Sequence, residues 1–131
     1  MPALGPKSLA ILANAHPDLQ RLFKEVGSKM DITILCSHRT KEEQDAAFKA
    51  GNSKVQFPNS KHNQMPSMAV DAAPYPIDWK DLRRFYFLAG FVKGTADRMG
   101  IKIRQGCDWN GNLELKDDNW QDVPHTEIKN G

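Results

Sequence analysis

Two stretches lying far apart in this chain carry the residue types of a single cation site. The first is Ser60-Lys61-His62-Asn63-Gln64-Met65-Pro66-Ser67-Met68-Ala69-Val70-Asp71, and the second is Trp120-Gln121-Asp122-Val123-Pro124-His125-Thr126-Glu127. Together they offer the imidazoles of His62 and His125, the carboxylate of Asp71, and a spare carboxylate, Asp122, three residues before the last histidine. Three protein ligands with a fourth position left for water is the donor count of a catalytic zinc site; a structural site more often closes with four, usually including cysteine. Neutral imidazole nitrogen and carboxylate oxygen both suit Zn²⁺ at roughly 2.0–2.2 Å. Asp122 is then placed as the general base. A metal lowers the pKa of its bound water to about 7, and a nearby carboxylate can take the remaining proton. Arg39, in Cys36-Ser37-His38-Arg39-Thr40, stands just beyond a predicted strand. A guanidinium there can hydrogen-bond a peptide carbonyl and steady an oxyanion. Strand alternation turns His38 the other way, and His16, beside Pro17, is expected to have no role.

Several elements must bring these residues together. Ser8 can cap a helix whose Leu9, Leu12, Leu19, Leu22, Phe23 and Val26 mostly recur at helical spacing, with Pro17 splitting it or sitting in a first turn. Ile32-Thr33-Ile34-Leu35 has the composition of a strand. Thr40-Lys41-Glu42-Glu43 has the capping-box form and opens a helix running through Phe48 to Gly51. Residues 51–67 are polar and aperiodic, a loop of a length usually kept for function. Met68 to Ala72 reads as a short strand carrying Asp71, followed by a Pro74-Tyr75-Pro76 elbow. A helix starting at Asp78 or Trp79 presents Leu82, Phe85, Ala89, Val92, Ala96 and Met99 and ends at Gly100. Ile101-Lys102-Ile103 alternates as a strand does, and Pro124 to Ile128 forms a last strand bearing His125. The fold class is α+β: a small antiparallel sheet presenting the ligands, packed with helices.

Composition narrows the field further. At 131 residues the chain has the size of a single domain (1–131) able to bury one core. The formal charge is +2, from 18 basic and 16 acidic side chains, and no basic run points to a nucleic-acid partner. No stretch approaches the roughly 20 apolar residues of a membrane span, and Met1-Pro2-Ala3-Leu4-Gly5-Pro6-Lys7 lacks the layout of a signal peptide. Cys36 and Cys107 are too few for a disulfide framework and read as unpaired, buried or half-buried thiols.

The segments Ser37-His38-Arg39-Thr40, Ser60-Lys61-His62, Ala69-Val70-Asp71 and Asp122-Val123-Pro124-His125-Thr126-Glu127 resemble the motifs of the M15 peptidase family. That family includes D-alanyl-D-alanine carboxypeptidases and dipeptidases, and phage L-alanyl-D-glutamate endopeptidases (endolysins). The small size and the Pro-Tyr-Pro-Ile-Asp-Trp stretch most resemble the phage branch, and the likeness spans about residues 30–128. It implies the Hedgehog-like zinc-peptidase fold, zinc ligands His62, Asp71 and His125, Asp122 at the catalytic acid position, and Arg39 near the scissile carbonyl. It also implies that Ser60 touches substrate, a role assigned with it to Trp120, and that Glu127 orients a ligand. Two departures are visible. Many members have seven residues from the first histidine to the aspartate, where this chain counts nine, and the usual catalytic glutamate is here Asp122. The activity implied is zinc-dependent hydrolysis of the peptidoglycan stem, foremost at the L-Ala–D-Glu bond. A D-Ala-D-Ala carboxypeptidase and a non-catalytic zinc- or wall-binding domain are the alternatives. A monomer is expected, held in the host cytoplasm until a holin releases it to the wall.

Overall fold

The computed structural model describes residues 2–115 and 121–129. Two prolines open the first two helices, α1 (Pro6–Leu12) and α2 (Pro17–Gly27). Proline suits that position because the first amides of a helix have no intrahelical partner. His16 caps α2, its Nδ1 accepting the Asp18 N–H at 3.0 Å, so a residue expected to be idle divides the two helices. Ser8 does not cap α1; it lies within the helix, where its hydroxyl accepts the Ile34 N–H at 3.0 Å. With Ser37 Oγ donating to Ile11 O at 2.6 Å, this lays α1 along strand β1 (Ile32–Cys36) and covers that edge of the sheet.

Helix α3 (Lys41–Lys49) begins with the expected capping box. The Thr40 hydroxyl accepts from Glu43 N, and the Glu43 carboxylate accepts from Thr40 N. A 3₁₀ turn (Lys61–Asn63) interrupts the long loop before β2 (Ala69–Pro74). Helix α4 (Leu82–Met99) starts later than its periodicity suggests, because Asp78 forms a turn of its own in which Oδ1 accepts from Lys80 N and O accepts from Asp81 N. At its far end Gly100 adopts φ +74°, and Ile101 N–H returns to Ala96 O. Ile101 therefore closes the helix, and β3 covers Ile103–Gln105 rather than beginning at residue 101. The last strand, β4, is His125–Ile128.

The four strands form an antiparallel sheet in the order β1-β2-β4-β3. This is the α+β arrangement expected from the sequence. Side chains alternate across each strand, and the register sorts them cleanly. Ile32, Ile34, Val70, Ala72 and Ile103 face a core shared with Leu19, Leu22, Phe23 and Val26 of α2 and Leu88, Val92 and Ala96 of α4. The other parity puts Ala69, Asp71, His125, Glu127 and Arg104 on the opposite face. One face thus holds the fold together, and the other carries the chemistry.

Candidate metal centre

Asp71 and His125 are directly opposed in the β2–β4 ladder, so their side chains emerge together on the same face. His62 arrives from the 3₁₀ turn, which is held in several ways. The Ser60 hydroxyl accepts the His62 N–H at 3.1 Å, and Asn63 Oδ1 accepts the Ser60 N–H at 3.0 Å. His62 O accepts Arg39 N–H at 2.7 Å, and Lys61 O accepts Met68 N–H at 3.0 Å. Ser60, expected to touch substrate, is placed as the cap that aims His62.

The donor atoms converge. His62 Nε2 lies 3.2 Å from Asp71 Oδ1 and 3.2 Å from His125 Nδ1, and His125 Nδ1 lies 3.3 Å from Asp71 Oδ1. The outer nitrogens set the tautomers. His62 Nδ1 is 2.6 Å from Ser37 O, a carbonyl that only accepts, and His125 Nε2 is 2.8 Å from Glu127 Oε1. Each outer nitrogen therefore carries the proton, and in the neutral rings both inner nitrogens are lone pairs facing each other and a carboxylate oxygen. Three acceptors so placed repel one another unless protons or a cation lie between them. A tetrahedral ion with bonds of about 2.0–2.1 Å spaces its ligands by about 3.3–3.4 Å, close to the 3.2–3.3 Å found. The residues fit a metal ion, and among the described residues His62, Asp71 and His125 are the group that can hold one.

Without a cation, the carboxylates around the two rings favour protonation. Burial opposes a charge on His62, but the Asp71 carboxylate outweighs it and raises the ring to about 10. Burial opposes charge on His125 as well, yet its bonds to Asp71 and Glu127 raise it. Asp71 is buried, and still the imidazolium of His62 drives it well below the usual carboxylate range. Glu127 is also lowered against its burial, by His125 and by Arg104, whose Nη2 is 2.9 Å from Oε2.

Asp122 stands just outside the triangle, its Oδ2 3.9 Å from His125 Nδ1. Burial and the nearby Asp71 charge push its carboxyl up to about 6. The turn carrying it is closed by His125 N–H on Asp122 O at 3.1 Å and docked on Gly106, which accepts the Asp122 N–H and donates to His125 O, both at 2.9 Å. Arg39 is at the centre, with Nη2 3.7 Å from Asp71 Oδ2 and Nη1 donating to Gln44 Oε1 at 2.9 Å. His38 lies outside the converging donors, and Trp120 lies outside the described residues.

Three contributors escaped the sequence reading. Gln44 is fully buried and bridges Arg39 to the loop, its Nε2 donating to Val55 O at 2.7 Å; nothing in the amphipathic pattern of α3 singles it out. Gly106 sits where a Cβ would overlap the Asp122 carbonyl, and glycine at a strand end is the available signal for such an approach. Trp109 places its ring 5.4 Å from that of His125. Neither cysteine forms a disulfide among the described residues; Cys107 is buried, and Cys36 is half-buried with Sγ 3.8 Å from His62 Nδ1.

A three-donor cation centre on one sheet face, with a perturbed carboxylate and a guanidinium beside it, is the residue set of metal-assisted hydrolysis. The chain belongs to the phage L-alanyl-D-glutamate peptidase family, whose model matches residues 2–129. It is 32% identical over 132 residues to the L-alanyl-D-glutamate peptidase of Escherichia phage T5, covering 97% of this chain and 89% of that relative. The structure is also similar to the L-Ala D-Glu endopeptidase ChiX of Serratia marcescens, with a TM-score of 0.74 and 22% identity, over 95% of this chain and 87% of the other. At that identity the second likeness concerns the fold.

Proposed function

We propose that this chain is a zinc-dependent peptidoglycan peptidase, a single catalytic domain that hydrolyses the L-Ala–D-Glu bond of the stem peptide. The observation that carries the reading is the triangle of inward lone pairs on His62, Asp71 and His125 with Asp122 beside it. The family to which the chain belongs supports the choice of substrate. His62, Asp71 and His125 would hold a zinc ion, which when bound would supply Lewis acidity for the scissile carbonyl and for the attacking water. Asp122 takes the proton from the attacking water and passes it to the departing amine, a task suited to a carboxyl raised to about 6. Arg39 keeps Asp71 oriented through its outer oxygen and offers its remaining N–H donors to the developing oxyanion. Glu127 fixes the His125 tautomer.

No helix among the described residues is long and apolar enough to cross a membrane. The protein acts as a monomer and reaches the wall after release from the host cytoplasm through a holin lesion. Digestion of purified peptidoglycan with zinc-loaded and chelator-stripped protein tests the reading by mass spectrometry. New N-terminal D-Glu ends that vanish on chelation are expected. Release of free D-alanine would make it a carboxypeptidase, and no product from zinc-replete protein would make it a binding domain.

A further inference from the structure

Two cavities meet at Asp122 and Arg39, and their charges differ. One, of about 380 Å³, is lined by Lys54, Lys61 and Arg104 together with His125 and Glu127. The other, of about 540 Å³, is lined by Asp71, Trp79, Gln121 and Pro124, and Arg39 is the one cation on its wall among the described residues. The acidic groups on the first wall are Asp122, which the two cavities share, and Glu127, which is already engaged on both oxygens by His125 and by Arg104. The first cavity therefore presents an excess of positive charge to anything lying across the centre, and the second does not.

A substrate cut between L-alanine and D-glutamate has a matching asymmetry. On the alanine side the nearest side chain is a methyl group. Glutamate carries two carboxyls, and when the peptide continues through one, the other stays free close to the departing nitrogen. Resting on the proposed L-Ala–D-Glu specificity, we propose that the cavity walled by Lys61 and Arg104 is the subsite for this free carboxylate, and that these two residues recognise it. Arg104 is prepared for that role. Its Nε and Nη2 both donate to one oxygen of Glu127, at 3.2 and 2.9 Å, which leaves further N–H donors of the five on a guanidinium. Its plane is steadied by the Trp109 ring, 5.4 Å away, and its side chain remains 45% exposed. Lys61 sits in the same capped turn as His62, so its backbone position is fixed relative to the centre. The subsite sets the polarity of binding, with glutamate toward Arg104 and alanine toward Trp79.

The test compares two synthetic stem peptides, identical except that the free D-glutamate carboxylate of one is a carboxamide in the other. Wild-type protein should favour the carboxylate by about tenfold or more in kcat/KM, the size expected of a hydrogen bond to a charged group. Calorimetric binding of the D-Glu-terminated product peptides should show the same preference. Arg104→Gln and Lys61→Gln should each shrink the preference by losing more rate on the carboxylate peptide than on the carboxamide peptide. Because Arg104 also holds Glu127, a purely positioning role would slow both peptides equally and leave the preference intact, which would overturn its part in the subsite. Lys61→Gln, outside that ion pair, then decides the subsite independently. Wild-type protein cutting both peptides alike would overturn the subsite and leave the peptidase reading standing. Failure to cut either at the L-Ala–D-Glu bond would overturn both.

Discussion

Replacing Gly106 by alanine measures how closely the turn bearing Asp122 and His125 must be seated. A Cβ at this position would overlap the Asp122 carbonyl oxygen, and it would stand 2.8 Å from the carbonyl carbon and 3.0 Å from Asp122 Cβ. Carbon atoms pack at about 3.5–4.0 Å, so the turn must withdraw by about 1 Å. Neither side of the contact is a flexible side-chain tip, so the backbone itself has to move. Withdrawal breaks the two bonds that dock the turn, Asp122 N–H to Gly106 O and Gly106 N–H to His125 O, each contributing about 1 kcal/mol. A loss of about 2 kcal/mol should lower Tm by roughly 5–10 °C. The catalytic consequence is larger, since a displacement of about 1 Å in the reacting geometry can cost on the order of 100-fold in rate. Steady-state kcat and KM on a stem peptide, zinc content and Tm should be measured on the same preparation. The expected result is a folded protein with a lower Tm, weaker zinc retention and kcat reduced about 100-fold. Activity within a factor of about two of wild type with unchanged zinc content would refute the reasoning, because the turn would then tolerate the displacement.

Asp122→Asn should retain zinc and lose about 10²- to 10⁴-fold in kcat; full activity would remove Asp122 from the mechanism. In the wild type the base form must be ionised, so activity should be present at neutral pH and fall as pH drops through about 6 or below, since a bound dication lowers the carboxyl from its metal-free position. Glu127→Gln replaces the anion at His125 Nε2 by an amide, and zinc affinity in a chelator competition should weaken by about 10- to 100-fold; an unchanged affinity would show that the tautomer is fixed without it. His62 keeps its proton up to about 10 in the metal-free protein. Zinc loading near pH 7 should therefore release at least about one proton, with affinity climbing as pH rises. Calorimetry in two buffers of different ionisation enthalpy reads that number, and a value near zero would mean the imidazoles are already neutral.

Much of the site could be read from donor types combined with the resemblance of their motifs to a known family. Singly, His62, Asp71, Asp122 and His125 say little; together and in that motif context they suggest one centre, and the structure brings them close to one another. The elements followed from local rules where a local rule acts: the capping box at Thr40, the proline at the start of α2, the stop at Gly100. Errors arose where a tertiary partner decides. Ser8 has the side chain of a helix cap, but β1 offers an unpaired amide that takes its hydroxyl. Ile101 alternates like a strand residue, but the carbonyl at Ala96 claims its N–H. Gln44 and Gly106 matter through what lies across from them, and sequence spacing holds no information about that. The register opposing Asp71 to His125 is of the same kind, since sliding β4 by one residue would leave every strand prediction intact and destroy the centre.

The charges around the centre would suit a divalent ion. Asp71, Asp122 and Glu127 bring three negative charges; Arg39 pairs with the outer oxygen of Asp71, and Arg104 with that of Glu127. The neighbourhood is thus left one negative charge in excess when both histidines are neutral. In the metal-free protein a proton on the histidines offsets that charge, with Asp71 raising His62, and Asp71 and Glu127 raising His125. Exchanging the proton for a dication turns the excess positive by one. A carbonyl oxygen on its way to an oxyanion, and a carboxylate beside the departing nitrogen, are both favoured by that sign. The two arginines lie on the outer oxygens and not among the inner donors, so they neutralise carboxylates without competing for the position between the lone pairs. Substituting either arginine by a neutral residue should therefore return the loaded centre toward neutrality. That change would weaken anionic substrates and transition states more than it weakens the metal.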